Sequence, residues 1–163
     1  EFIEAASLVK KNDFNVEFKL LGPKGVQNRT AISEKIIKEW QEINIVEYLG
    51  ETDNVIEQIA RADCIVLPSY REGTSRVLLE AASIGRPIIA SNVPGCKEIV
   101  DNQMNGLLCE AKNSYDLFKK MEKMITLTHE ERVQMGLMGR KKIIAEFDSK
   151  IVNKIYLETL NLL

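Results

Sequence analysis

Glu72 and Glu80 frame the stretch of this chain whose residue types and spacing could do chemistry. Glu72 sits in Pro68-Ser69-Tyr70-Arg71-Glu72-Gly73-Thr74-Ser75-Arg76, a loop that follows an apolar strand and enters a helix. Gly73, Thr74 and Ser75 are small, so backbone N–H groups there can approach a ligand. A helix N-terminus with unpaired N–H groups is a ready site for phosphate. Glu80 lies inside the otherwise apolar run Val77-Leu78-Leu79-Glu80-Ala81-Ala82, and a carboxylate in such a setting needs a partner because burying it bare is costly. From Ser75 to Glu80 a helix rises about 7–8 Å. A diphosphate at the helix mouth would then have one carboxylate on each side. Each could accept hydrogen bonds from two adjacent hydroxyls, one holding a sugar ring and the other a ribose. Spacing alone leaves an alternative open, in which Glu80 pairs with a nearby Arg or Lys and Glu72 is a solvated loop residue.

The elements that must position these residues alternate along the chain. Apolar periodicity predicts helices over 1–11, 32–42, 54–61, 77–84, 115–125, 129–146 and 150–162. The first opens without a cap, which suggests chain upstream of it. Asp53 is the expected cap of the third, and Thr128 with Glu131 spells a capping box. Gly85 and Pro87 stop the helix that carries Glu80. Short apolar strands are expected at 16–21, 45–49, 64–67, 88–90 and 107–109, the last after the Asn105-Gly106 turn. Parallel strands separated by helices give an α/β fold with a Rossmann-like, doubly wound parallel sheet. Ligands in such sheets bind beyond the carboxyl ends of the strands, where the Glu72 loop belongs.

The 163 residues suit one domain, taken as 1–163, without repeat or Pro/Gly-rich linker. Twenty-two Lys and Arg against 24 Asp and Glu give no general reason to expect nucleic acid as a partner. No apolar run has the roughly 18–20 residues that span a bilayer, and no signal peptide is evident. Cys64, Cys96 and Cys109 lack a C-x-x-C pair, which argues against a disulfide framework or structural zinc and for a reducing cytoplasm. His129 falls in the first turn of a capped helix and reads as a surface residue. Met121, Met124, Met135 and Met138 read as core filler, and Lys119, Lys120 and Lys123 as a solvated face. Arg71 and Arg76 flank the candidate phosphate site, with surface salt bridges as their alternative role. Cys96 has no surroundings that would lower its pKa and is not proposed as a nucleophile.

Four stretches together resemble the C-terminal, nucleotide-sugar-binding lobe of the GT-B, family-4 retaining glycosyltransferases. They are 67–73, 77–81, Gly85-Arg86-Pro87-Ile88-Ile89-Ala90, and Val93-Pro94-Gly95-Cys96-Lys97-Glu98-Ile99-Val100. Glu72 and Glu80 resemble that family's E-x7-E pair, and Asn105-Gly106-Leu107-Leu108 its following turn. The similarity reaches Gly139-Arg140 and Glu146-Phe147-Asp148. Details are closest to bacterial enzymes of capsule, O-antigen and lipid-linked oligosaccharide assembly.

The resemblance implies that Glu72 holds donor-sugar hydroxyls as the catalytic-site carboxylate and that Glu80 holds the nucleotide ribose. Backbone at Gly73, Thr74, Ser75, Arg76 and Val77 would bind sugar and diphosphate. The donor would be a nucleoside diphosphate sugar, UDP-linked, with no metal and no further cofactor. A glycan or lipid-linked saccharide would be the acceptor, held by an N-terminal lobe outside this chain. Any membrane association, at the inner face of the cell membrane, would come through that lobe. Relatives place two diphosphate-neutralising cations on a strand before the first helix. The resemblance therefore implies a sheet lacking its first strand, and so perturbed or filled by a substitute, and a chain inactive alone. One departure is Gly73-Thr74-Ser75 where many relatives have Gly-Phe-Gly, which leaves the donor sugar open. The rival classes are a GT-B-fold sugar-nucleotide epimerase, disfavoured by the lone histidine, and a non-catalytic nucleotide-binding module.

Overall fold

Seven helices and five short strands are formed in a computed structural model that describes residues 1–25 and 32–160. In chain order they are α1 (Phe2–Lys11), β1 (Lys19–Leu20), α2 (Glu34–Glu42), β2 (Glu47–Tyr48), α3 (Val55–Arg61) and β3 (Ile65–Leu67). They continue with α4 (Arg76–Ser83), β4 (Ile88–Ser91), β5 (Gly106–Cys109), α5 (Ser114–Thr126), α6 (His129–Glu146) and α7 (Ser149–Leu160). The last positions of the expected 150–162 helix lie outside the described residues.

Every strand pairing is parallel, but the strands form two sheets and not one. β1 pairs with β2, and β3-β4-β5 make a separate three-stranded sheet. Among the described residues β1 and β3 do not pair, so no single continuous sheet forms. β1 and β2 keep two ladder residues each of the longer strands expected at 16–21 and 45–49. The apolar residues beside them, Phe18 and Val46, are nevertheless buried.

Side chains alternate across the three-stranded sheet, as strand geometry requires. Val66, Ile89, Leu107 and Cys109 face one core, completed by Ala5, Ala6 and Val9 of α1 and by Leu117, Phe118, Met121 and Met124 of α5. Ile65, Leu67, Ile88, Ala90 and Leu108 face the other, with Ile59 of α3, Leu78, Ala81 and Ala82 of α4, and the 93–100 turn. All four residues of β4 are buried, so it is covered on both faces. Helices therefore sandwich the sheet, and the loops after β3 and β4 leave its carboxyl edge side by side.

Local chemistry sets most boundaries. The capping box forms as expected: Thr128 Oγ1 accepts from the Glu131 N–H at 3.2 Å and Glu131 Oε2 accepts from the Thr128 N–H at 2.7 Å. These bonds hold the Glu131 carboxyl below its usual pKa. At α3 the expected cap is displaced by one position. Asn54, not Asp53, accepts from the Glu57 N–H, because the helix begins at Val55. Met121 and Met124 fill the core, but Met138 is 39% exposed on the outer side of α6 and is no filler.

Gly85 ends α4 in the left-handed region at φ +75° and meets α6 at Gly136. A β-carbon on Gly136 would overlap the Gly85 carbonyl oxygen and lie 2.6 Å from its carbon. The helix can approach that closely only without a side chain there. Gly136→Ala should therefore destabilise the protein by about 1–3 kcal/mol, the usual cost of overpacking, read as a lower urea midpoint at unchanged slope.

Candidate functional site

The site begins with strand register. Leu67 of β3 lies opposite Ala90 of β4, so the loops that follow start at the same level. The first loop runs from Pro68 to Ser75. Its outer part is held at Tyr70, whose hydroxyl donates to Glu1 Oε1 at 2.5 Å while Lys112 Nζ lies 5.2 Å from the ring centre. Further along, Glu72 is half-buried, Gly73 and Thr74 are exposed, and Ser75 is 3% exposed at the N-cap of α4.

The mouth of α4 differs from the other interior helix starts. Ser33, Asn54, Asn113 and Thr128 each accept a first-turn N–H of α2, α3, α5 and α6. Ser75 makes no such side-chain bond. Its own N–H donates to the Gly95 carbonyl at 3.3 Å.

Glu80 has the bland partner that the spacing left open. Arg76 Nε donates to Glu80 Oε1 at 2.8 Å, one helical turn away. The Glu80 side chain is 21% exposed and that of Arg76 91%. A pair with one member so solvated contributes little to stability and is readily exchanged. Arg71 is exposed. The structure thus gathers Glu72, Gly73, Thr74, Ser75, Arg76, Val77 and Glu80 around the start of one helix, with both carboxylates part-accessible.

Sequence reasoning passed over the second loop as a functional element. Gly95 stands against the Glu72 loop at φ +85°. A β-carbon there would overlap the Gly73 carbonyl oxygen and lie 2.8 Å from that of Glu72. The available signal was the spacing of Val93, Cys96 and Ile99 around a glycine, the pattern of a turn anchored on one side. A cavity of about 520 Å³ lies elsewhere, at the ends of β4 and β5. It is lined by Asn92, Asn102, Leu108, Cys109, Glu110, Ala111 and Asp116, and takes in neither site glutamate. Among the described residues no group of three or more His, Cys, Asp and Glu could hold a metal ion. None of the described helices is long and apolar enough to cross a membrane.

The parallel strands and the helices that cover them match the fold of GT-B glycosyltransferases. Residues 1–126 match the family described as Glycosyl transferases group 1, and the chain belongs to that family. It is 31% identical over 159 residues to the N,N'-diacetylbacillosaminyl-diphospho-undecaprenol alpha-1,3-N-acetylgalactosaminyltransferase of Campylobacter jejuni, covering 97% of this chain and 39% of that one. Identity to the capsular polysaccharide biosynthesis glycosyltransferase CapM of Staphylococcus aureus is 26% over 152 residues, 93% of this chain and 39% of the relative. The chain thus spans about two fifths of the length of these relatives. Among solved structures, S. aureus TarM in complex with UDP, Fondaparinux and alpha-GlcNAc-glycerol superposes with a TM-score of 0.83 at 25% identity, over 96% of this chain and 31% of TarM.

The thiol nearest the site is inert. Cys96 is fully buried, and burial pushes its pKa up to about 11, with the Glu72 and Glu98 carboxylates adding to the effect. Burial likewise raises Cys64, to about 12, and Cys109. Cys96 is therefore a protonated core residue near neutral pH and no nucleophile. Mass-spectrometric footprinting with a thiol reagent near neutral pH should leave Cys96 unmodified in the native protein and label it rapidly once denaturant is added.

Proposed function

We propose that this domain is the donor-binding lobe of a retaining, metal-independent glycosyltransferase. The reaction passes a sugar from a nucleoside diphosphate sugar, UDP-linked, to a hydroxyl of a glycan or lipid-linked acceptor. The observation that carries the reading is the placement of Glu72 and Glu80 on either side of an α4 start that has no side-chain cap, in a chain of this family. UDP in the TarM complex and the lipid diphosphate in the Campylobacter relative's name support the donor and acceptor classes.

In this reading the diphosphate sits over the first turn of α4, beside Ser75 and against the N–H groups of Arg76 and Val77. Fixed N–H dipoles stabilise the charge that builds on the departing diphosphate without reorganising as the bond breaks. Glu80 turns from Arg76 to the two ribose hydroxyls, and the released guanidinium stays at the phosphate side. Glu72 accepts from hydroxyls of the donor sugar, with Gly73 and Thr74 lining the approach. It orients the sugar through these hydrogen bonds and forms no covalent bond to it. The acceptor is held by the part of the enzyme outside this chain, which works in the cytoplasm or at the inner face of the cell membrane.

In the complete enzyme, Glu80→Ala should weaken nucleoside diphosphate binding by calorimetry, each lost charged hydrogen bond being worth about 1.5–3 kcal/mol. Unchanged affinity would refute the ribose role. Glu72→Ala should lower transfer more than it lowers affinity for the bare nucleotide, whereas equal losses would point to a structural role. Product analysis with a labelled donor should show transfer; an epimerised or unaltered donor would replace this reading with one of its rivals. The 163 residues alone should transfer nothing, since reactive geometry requires both substrates held together. Glycosylation by them at a rate near that of the complete enzyme would show the active site to be misplaced.

A further inference from the structure

The turn after β4 is built as a support. Val93 is 9% exposed, Cys96 and Ile99 are fully buried and Val100 is 1% exposed, so four side chains anchor the turn in the core under α4. Backbone bonds from the Cys96 and Lys97 N–H groups to the Val93 carbonyl, and from Ile99 and Val100 to Cys96, stiffen it. Gly95 of this turn is part-buried and meets the Glu72 loop backbone to backbone.

Both main-chain groups of Gly95 are engaged. Its carbonyl accepts from the Ser75 N–H at 3.3 Å, at the cap of α4. Its N–H donates to Glu98 Oε2 at 2.6 Å. Glu98 is exposed, makes this bond three residues back along its own turn, and contributes nothing to the apolar core. A charged hydrogen bond placed there has one evident structural effect: it fixes the peptide that carries Gly95.

We propose that Gly95 and Glu98 are positioning residues for donor transfer, with Glu98 fixing the Gly95 peptide and Gly95 setting the height of the Glu72–Gly73 backbone above the sheet. The inference rests on the reading of Glu72 as the donor-sugar ligand. Any side chain at 95 must lift the Glu72–Gly73 segment. A displacement of about 1 Å at a reacting group can cost about 100-fold in rate. The start of α4 sits on the same support through Ser75, but its first-turn N–H groups are fixed mainly by the helix itself. The sugar should therefore be misaligned more than the diphosphate.

The test is made in the complete enzyme with Glu98→Ala, Glu98→Gln, Gly95→Ala and Glu72→Ala. It measures kcat and KM for the nucleotide sugar, calorimetric affinity for the bare nucleoside diphosphate, and thermal unfolding. Glu98→Ala should lower kcat about tenfold, the scale of one charged hydrogen bond, with nucleoside diphosphate affinity held within about twofold. Glu98→Gln should restore most of the rate, because its amide oxygen can take the Gly95 N–H. Gly95→Ala should lower kcat about 100-fold. Should that variant fail to fold, the Glu98 pair decides alone. If Glu72→Ala abolishes transfer but both Glu98 variants keep wild-type kcat, or lose rate equally, the support role is overturned and the reading of Glu72 stands. Parallel losses of rate and nucleotide affinity also overturn it. If Glu72→Ala leaves transfer unaltered, the reading of the site itself falls, and this inference with it.

Discussion

Burial of β4 on both faces is the constraint from which the rest of the domain follows. A strand with Ile88, Ile89, Ala90 and Ser91 all withdrawn from water must have neighbours in its ladder and a layer on each side. β3 and β5 supply the ladder, α1 with α5 one layer, and α3 with α4 the other. Once Leu67 is paired with Ala90, the chain has no freedom over where the next two loops emerge. Glu72 and Gly95 each stand five positions beyond one of those paired residues, and they arrive at the same place above the sheet. The candidate site is thus a by-product of strand register before it is anything chemical.

The layering also explains why α4 can hold a carboxylate in an apolar run. Leu78, Ala81 and Ala82 take the buried side, against β4 and α6. Glu80 falls on the flank, part-buried, where Arg76 reaches it and a ligand could replace Arg76. A fully buried position would need a fixed partner, and a fully exposed one would bind hydroxyls only in competition with water.

The sequence exposed what depends on near neighbours. The hearts of β3, β4 and β5, the capping box at Thr128, the stop at Gly85 and the Glu72–Glu80 pair all rest on residues a few positions apart. The family resemblance then gave roles to the pair that spacing could not. Errors arose where distant parts of the chain decide. β1 and β2 are shorter than their apolar runs because pairing with a neighbouring backbone, not apolar patterning alone, sets how far a ladder runs. Met138 looks apolar but faces outward on α6, whose glycines turn that helix's close side to α4. The partner of Glu80 was open among nearby Arg and Lys residues, since rotamers choose among several, and it is Arg76. The seat of the Glu72 loop on Gly95 was beyond reach because it joins two loops through main-chain atoms, and no pair of side chains announces it.

That the seat is made of main-chain atoms has a consequence for how such a domain can diverge. A support of side chains would tie the loop's position to its composition, and every exchange in the loop would risk dislodging it. Here the contact is between the Gly95 peptide and the carbonyls of Glu72 and Gly73, which every sequence possesses. Exposed positions such as Arg71 and Thr74 are free to vary while the loop keeps its height. The rim of the loop can change composition by drift, and one small residue beneath carries the tolerance.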